Sequence, residues 1–366
     1  MDIVTHGVAS FALQRTFWPR AKGLTVLVIL FAGVLPDVDW FSFLFGPAAY
    51  LEWHRTLTHS LIGWPALSIL AVVLPVLGFV SMGVTRWGDS DPVPPGKEDQ
   101  PRPGRDLRTP STGGARALLA SLFLASVCSL LLHLAMDLCQ DDGVELLWPF
   151  SSRRFALDLL PGFDLWLLIV LAGAILLPEL FLLVGEEIGS RAKRPRGQNG
   201  AIIGLVCAIL YLCARFLFHG SAVASLEART IAGEMPRRAG AFPDSTSPFL
   251  WHGVVETQSS LNVLDLRSAG GDVTDASSVT TLHKPDPSPM LAAAQKSPAA
   301  IAFVKFARFP KATVENETEG YSVEIHDLKD QATGEKSHAI FTDVNLDKNA
   351  NVVSSELQWQ QNSRKP

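Results

Sequence analysis

The chain has 366 residues and a mass of 39.7 kDa, which at about 150 residues per domain allows two domains. Only 18% of its residues are charged and its mean hydropathy is +0.22, against roughly 25% charged in soluble domains, which argues against a wholly soluble protein. A formal net charge of −5 and a pI near 6.0 supply no basic field to neutralise phosphates, which argues against a nucleic-acid partner.

The apolar residues are concentrated in the first part of the chain. Val4 to Phe17 reads as a short amphipathic or half-inserted helix. The same region lacks the basic stretch, apolar core and small-residue site of a cleavable signal peptide. Leu24 to Pro36 begins an apolar run that continues through Asp37 and Asp39 into Trp40-Phe-Ser-Phe-Leu-Phe45. Thr56 to Thr85 is 30 residues without Asp, Glu, Lys or Arg, where ~20 apolar residues suffice to cross a bilayer core. Ala117 to Met136 is also uncharged, Phe163 to Gly185 carries only Asp164 and Glu179, and Asn199 to His219 carries only Arg215. About five spans result. Cys128, Cys139, Cys207 and Cys213 have no CxxC spacing, so they read as small buried hydrophobes and not as a disulfide framework or thiolate site.

Loop charges set an expected orientation, because Lys and Arg in short loops favour the cytoplasm. The basic segments are Arg15, Arg20 and Lys22, then Arg86 through Arg116, then Arg191, Lys193, Arg194 and Arg196. Placing all three inside puts Asp37, Asp137 and the C-terminal portion outside the cytoplasm. Arg153 and Arg154 then break the rule, offset in part by Asp141, Asp142, Glu145 and Asp158. Gly88 to Gly114 is rich in Pro, Gly, Asp and Arg and reads as a disordered linker.

The texture changes near residue 220. Residues 221–247 read as a tether, polar from Ser225 to Gly240, and 248–366 as a small β-rich extramembrane domain. Strands with a period of two are expected around Val254-Val-Glu-Thr, Ser260 to Leu266, Ala300 to Phe306, Tyr321 to His326 and His338 to Val344. Gly270 to Pro298 reads as a polar, Pro-rich loop. Asp343 to Asn351 alternates oxygen ligands but lacks the turn glycine and closing Glu of an EF-hand. A hairpin turn is expected there. The expected fold is therefore a polytopic α-helical membrane protein, residues 1–220, of about five membrane helices plus a short N-terminal helix, followed by that β-rich domain.

Ionisable groups at membrane depth are costly and point to function. Leu35-Pro-Asp-Val-Asp39 ends an apolar run with two carboxylates. His54-Arg-Thr-Leu-Thr-His59 places two imidazoles before the longest uncharged stretch, and His133-Leu-Ala-Met-Asp137 puts His and Asp on one helix face. On the expected topology all six groups lie at one membrane depth. They are candidate ligands for a divalent metal, zinc, manganese or iron by the absence of thiolates. Their number suggests two ions bridged by a carboxylate, a centre suited to hydrolysis. HExxH, GxSxG, Walker and GxGxxG motifs are missing.

These motifs, together with Asp2-Ile-Val-Thr-His6, Gly143 to Arg154, Asp164, Pro248-Phe-Leu-Trp251 and Phe306-Ala-Arg-Phe-Pro310, resemble the YdjM-type family of LexA-binding, inner-membrane-associated metal-dependent hydrolases. The resemblance implies an integral protein of the bacterial inner membrane with Asp37, Asp39, His54, His59, His133 and Asp137 as metal ligands and His6 as a seventh. Of these, Asp37, Asp39, His59 and Asp137 are the expected catalytic carboxylates and imidazole. The family often has Gly where this chain has Ser10, which bears on helix packing. Arg55, Arg153 and Arg154 are the expected contacts for an anionic substrate group. The substrate class expected from the location is a phosphoester or other ester of membrane lipid or cell-envelope origin. The alternative is a non-enzymatic, partner-binding or regulatory membrane protein.

Overall fold

The computed structural model describes residues 1–21, 23–81, 112–187, 197–269, 272–334 and 339–360, with side chains of 112–115 and 181–187 left out. Its helices α1 to α7 run over Ile3–Phe17, Leu24–Val34, Pro47–Trp53, Gly63–Ser81, Thr112–Leu138, Leu165–Glu187 and Gln198–Glu227. Among the described residues, four stretches are long and apolar enough to cross a membrane: Leu24–Phe45, Gly63–Ser81, Arg116–Leu138 and Gln198–Glu227. Leu165–Leu180 is a shorter apolar helix. Their outward faces leave Leu77, Phe123, Leu176, Leu210 and Leu217 exposed, as lipid-facing surface requires.

Two layers make the bundle. Val28, Ala32, Leu67, Ala71, Val72, Leu122 and Leu130 pack α2, α4 and α5 together. Ala9, Ala12, Leu167, Leu171, Ile175, Ala201 and Ala208 pack α1, α6 and α7. The layers meet where Gly33 lets α1 approach α2: a Cβ at Gly33 would lie 1.8 Å from Ser10 Oγ and 2.9 Å from Ser129 Oγ. Ser129 donates to Ser10 Oγ and to the Ile29 carbonyl. The close approach is thus carried by Gly33, and Ser10 fits because its partner has no side chain.

Strands β1 to β9 span Arg238–Pro243, Leu250–Glu256, Ser260–Ala269, Asp272–Asp275, Thr280–His283, Pro310–Asn316, Gly320–Asp327, Ile340–Asp347 and Val352–Trp359. Three short helices, α8 to α10, cover Pro289–Gln295, Pro298–Phe306 and Leu328–Thr333. One antiparallel sheet has the order β1-β2-β3-β4 with β5 also on β3, and the other is the meander β6-β7-β8-β9. The last turns of α7 bury Ala222 and Leu226 against Trp251, Val255, Leu264 and Leu266 of the first sheet. Tyr50 of α3 enters the core of the second sheet with Phe303, Val323, Ile325 and Val344. Both sheets therefore dock at the end of the bundle where α3 lies.

Several expectations change. The tether over 221–247 is largely ordered, because α7 continues to Glu227 and β1 begins at Arg238. Ala300 to Phe306 is helical, because Ser297 caps the segment and Pro298 sits in the first turn. The loop Gly270 to Pro298 contains β4, β5 and α8. The uncharged run from Thr56 is not helical until Gly63, since Leu57–His59 forms a 3₁₀ turn around Asp39. Cys207 and Cys213 are exposed on α7, not buried. The linker 88–114 lies outside the described residues up to 111, and 112–114 already belong to α5. Lys22, His338 and residues 191–196 also lie outside them. The Asp347 to Asn351 turn is a hairpin, with Asp347 accepting from the Asn349 and Asn351 amides.

Replacing Gly33 with Ala should lower bundle stability by roughly 1–3 kcal/mol through overpacking. Adding Ser10→Gly should restore most of it, as read by thermal unfolding in detergent.

Candidate metal centre

Local sequence explains how each polar group reaches the centre. Asp2 caps α1, accepting from the Thr5 amide at 2.9 Å, which places His6 in the first turns. Pro36 ends the α-helical path of α2 by removing an amide donor, and Leu35–Phe45 continues as a 3₁₀ helix carrying Asp37 and Asp39. Gly46, at φ +97°, reverses the chain into α3, whose first residue is Pro47. His133 and Asp137 lie one turn apart near the end of α5.

Four of these residues form a compact group. The ligand atoms of His6, Asp37, His133 and Asp137 all lie within 4.8 Å of one another. His6 Nε2 is 3.2 Å from Asp137 Oδ1, and His133 Nε2 is 3.2 Å from Asp137 Oδ2 and 3.6 Å from Asp37 Oδ1. His6 stacks on His133 with centroids 3.7 Å apart. His59 joins the edge of the group, its Nε2 2.9 Å from Asp137 Oδ2 and 3.2 Å from His133 Nε2. The Met1 amine lies 2.5 Å from Asp137 Oδ1 and from Gln140 Oε1.

The hydrogen bonds behind the group aim its nitrogens. His133 Nδ1 donates to the Gly33 carbonyl at 2.8 Å, so in the neutral ring Nε2 is the lone-pair atom. His59 Nδ1 faces Asp39 Oδ2 at 3.1 Å, which turns its Nε2 to the group; burial disfavours the charged ring, but Asp137 and Asp39 outweigh it and raise its pKa to about 9, so a proton or a metal sits at Nε2. Two ring nitrogens 3.2 Å apart repel unless a cation or proton lies between them. Asp37 Oδ2 is buried and accepts no hydrogen bond, and Asp137 Oδ2 has the imidazole nitrogens of His59 and His133 at 2.9 and 3.2 Å. Donors ~2.0–2.1 Å from one tetrahedral ion lie roughly 3.3 Å apart; here three pairs are 3.2–3.6 Å apart and His6 Nε2 is 4.0 Å from Asp37 Oδ2, so a small closing of the group fits a divalent metal.

Asp39 and His54, expected among the ligands, stand outside this group. Asp39 is occupied by His54 Nδ1 at 3.0 Å, the Arg55 amide at 2.9 Å, the Thr58 hydroxyl and His59. It acts on the centre through His59, in the carboxylate–histidine arrangement common behind metals. Burial pushes the His54 pKa down to about 4 despite Asp39, so its ring is neutral. The two-ion expectation therefore narrows to one group of four, with His59 at its edge.

The three arginines separate. Arg55 is buried at φ +59°, its guanidinium 3.6 Å from Asp137 Oδ1, 3.9 Å from Asp142 Oδ2 and bonded to Gln140, with Nε and Nη1 making no hydrogen bond. A non-glycine residue held in that backbone region stores strain, a common feature of functional sites. Arg154 donates to the His54 carbonyl at 2.9 Å and lies over the Phe306 ring. Arg153 is exposed, 5.3 Å from the Phe155 ring centroid.

Sequence reasoning missed the groups behind Arg55. Gln140, fully buried, bonds Arg55 and the carbonyls of Pro161 and Gly162. Its one signal is its place three residues after Asp137. Lys329 of the β domain donates to Asp142 at 2.5 Å and lies 3.2 Å from Asp141. Burial raises the Asp142 pKa, but Lys329 and Arg55 outweigh it and hold the carboxyl well below the usual range. No local pattern could announce a partner 187 residues away.

The sequence profile of the family described as YdjM inner membrane protein matches residues 1–222. No curated protein and no solved structure matches the chain.

Asp39→Asn should weaken metal binding by about 10–100-fold while leaving all four clustered side chains in place. Competition with a chelating dye would measure this, and an unchanged affinity would remove Asp39 from the support of the centre.

Proposed function

Since the chain belongs to the YdjM inner membrane protein family, we propose that it is a multi-pass membrane hydrolase acting on a phosphoester or other ester of lipid or envelope origin. A divalent metal would be held by His6, Asp37, His133 and Asp137, with His59 at the edge. The observation that carries this reading is the buried group of His6, Asp37, His133 and Asp137, whose ligand atoms all lie within 4.8 Å of one another, with Asp37 Oδ2 buried and without a hydrogen bond. Nitrogen and carboxylate donors without thiolate suit zinc, manganese or iron.

Such an ion supplies Lewis acidity at a phosphoryl or carbonyl oxygen and a water of lowered pKa. The chain's own groups do the rest. Arg55, ion-paired with Asp137 and Asp142, makes no hydrogen bond through Nε and Nη1 and would turn them to an anionic oxygen of the substrate. Asp37, whose side chain is 13% exposed while those of His6, His59 and Asp137 are fully buried, is placed to take a proton at the open edge. Asp39 and the Gly33 carbonyl hold His59 and His133 in orientation.

The reading extends to topology. Arg15 lies in the last turn of α1 while His6 lies in its first turns, so the centre and the basic end of that helix are on opposite sides. The β domain shares the centre's side through Tyr50, Asp141, Asp142 and Asp158. That side is extracytoplasmic under the charge rule. An enzyme reporter active only outside the cytoplasm, fused after Pro366, should therefore be active.

Purified protein should carry stoichiometric transition metal by elemental analysis. His133→Ala and Asp137→Asn should each strip it and reduce phosphoester cleavage to background. Metal-free wild-type protein that still cleaves would remove the metal centre from the reaction.

A further inference from the structure

Residues 146–153 lie in the connection between α5 and α6 and make no hydrogen bond or ion pair with the clustered ligands. Two backbone bonds fix their place: the Glu145 amide donates to the Arg55 carbonyl at 2.9 Å, and the Leu61 amide donates to the Leu146 carbonyl at 3.0 Å. The connection is thus laced to both ends of the stretch 55–61, which carries His59, just before α4 begins. From there it folds into a tight turn, in which the Leu147 carbonyl accepts from the Phe150 and Ser151 amides. The turn leaves its apolar side chains out of the core: Phe150 is 85% exposed, and Leu147 is exposed as well.

The neighbouring surface decides what covers them. Leu57, Leu61 and Ile62 are also exposed. Ile62, at the threshold of α4, continues the exposed row Ile69, Val73 and Val80, which recurs at the helical period. That row is the outward side of a membrane span, so the patch on the turn is continuous with a surface that acyl chains cover. The length of α4 sets the depth. Its 19 residues rise ~28 Å at 1.5 Å each, about the thickness of a hydrocarbon core. Gly63 therefore lies at the edge of that core, and Leu61, Leu147 and Phe150 at its boundary with the headgroups. Trp64 and Trp148, both half-buried, stand at the same level, where tryptophan is favoured. Past the turn the chain becomes polar. Ser152 and Arg153 are exposed, and the Arg153 guanidinium lies over the Phe155 ring with no carboxylate partner among the described residues.

We infer that residues 146–153 form a membrane-surface element, with Leu147 and Phe150 immersed at the edge of the leaflet on the side of the His/Asp group and Arg153 on a phospholipid phosphate. A guanidinium fork suits phosphate, so Arg153 serves headgroups and not the substrate. The inference concerns only where the chain meets lipid and stands apart from hydrolysis. It carries a consequence for depth: the connection is bonded to the stretch holding His59, so its immersion keeps the His/Asp group at headgroup level.

The test replaces Phe150 with photoreactive p-benzoylphenylalanine in the full chain, reconstituted in vesicles of phosphatidylcholine and phosphatidylglycerol. Irradiation should give phospholipid adducts at 150 as readily as at position 210 on the outward face of α7. Burying one Phe side chain among apolar groups is worth a factor of about ten or more, and adducts at 150 should exceed those at Asn349, in the polar turn between β8 and β9, by that factor. Should the protein altered at 150 fail to fold, the same probe at Leu147 gives the reading. Adducts no more frequent than at Asn349 would overturn the inference. A cross-linked dimer in place of lipid adducts would also overturn it, by giving the patch to a second copy of the chain. For the phosphate contact, solid-state NMR reads the dephasing of ¹³C-labelled guanidinium carbons by lipid phosphorus. Arg153→Gln should remove one arginine's share of that dephasing, and unchanged dephasing would overturn the contact.

Discussion

Asp137 is the constraint on which the structure depends. Its side chain is fully buried, and removing a carboxylate from water costs several kcal/mol unless charge or hydrogen bonds compensate. With Asp37 beside it, the site needs more than one positive or donating neighbour. His6, His59, His133, Arg55 and the Met1 amine all converge on Asp137 within 3.6 Å. Three of them are held from behind, His59 by Asp39, His133 by the Gly33 carbonyl and Arg55 by Gln140. Moving any one would leave a buried charge or dipole unmatched, so the helices that carry them are locked into one arrangement.

The same need for compensation ties the β domain to the bundle. Asp141, Asp142 and Asp158 follow Asp137 in the connection between α5 and α6, a dense set of carboxylates. Lys329 answers the first two and Arg308 pairs with Asp158 through bonds of 2.8 and 2.9 Å. Arg215 of α7 bonds the carbonyls of Leu159 and Pro248 and lies over Trp251, joining helix, connection and sheet. Asp142 faces both Lys329 and Arg55. A continuous chain of charged groups thus runs from the β domain to the centre, and the two parts of the chain form one electrostatic unit.

Much of this was legible in the residues. Long uncharged stretches can only be satisfied as helices in lipid, so the spans and the change of texture beyond them were readable. So was the unusual placing of His and Asp at span ends. Other readings failed for identifiable reasons. Ala300 to Phe306 alternates in hydrophobicity as a strand would, yet Ser297 and Pro298 start a helix there, and a short apolar run is decided by its cap. The Thr56 run looked helical from its first residue because hydropathy does not register a carboxylate twenty residues back that draws Thr58 and His59 into a turn.

Composition and the order of charges determined by themselves that the chain has an apolar helical part and a β-rich part, and which residue types could hold a cation. Those are properties of local hydration and hydrogen bonding, which each segment carries wherever it lies. Only the tertiary structure decided that Asp37 joins the His/Asp group while Asp39 stands behind His59, that His6 reaches that group, and that Lys329 stands behind Arg55. Neighbours two residues apart in a 3₁₀ helix point to different sides, and the side each meets depends on packing between helices far apart in the chain.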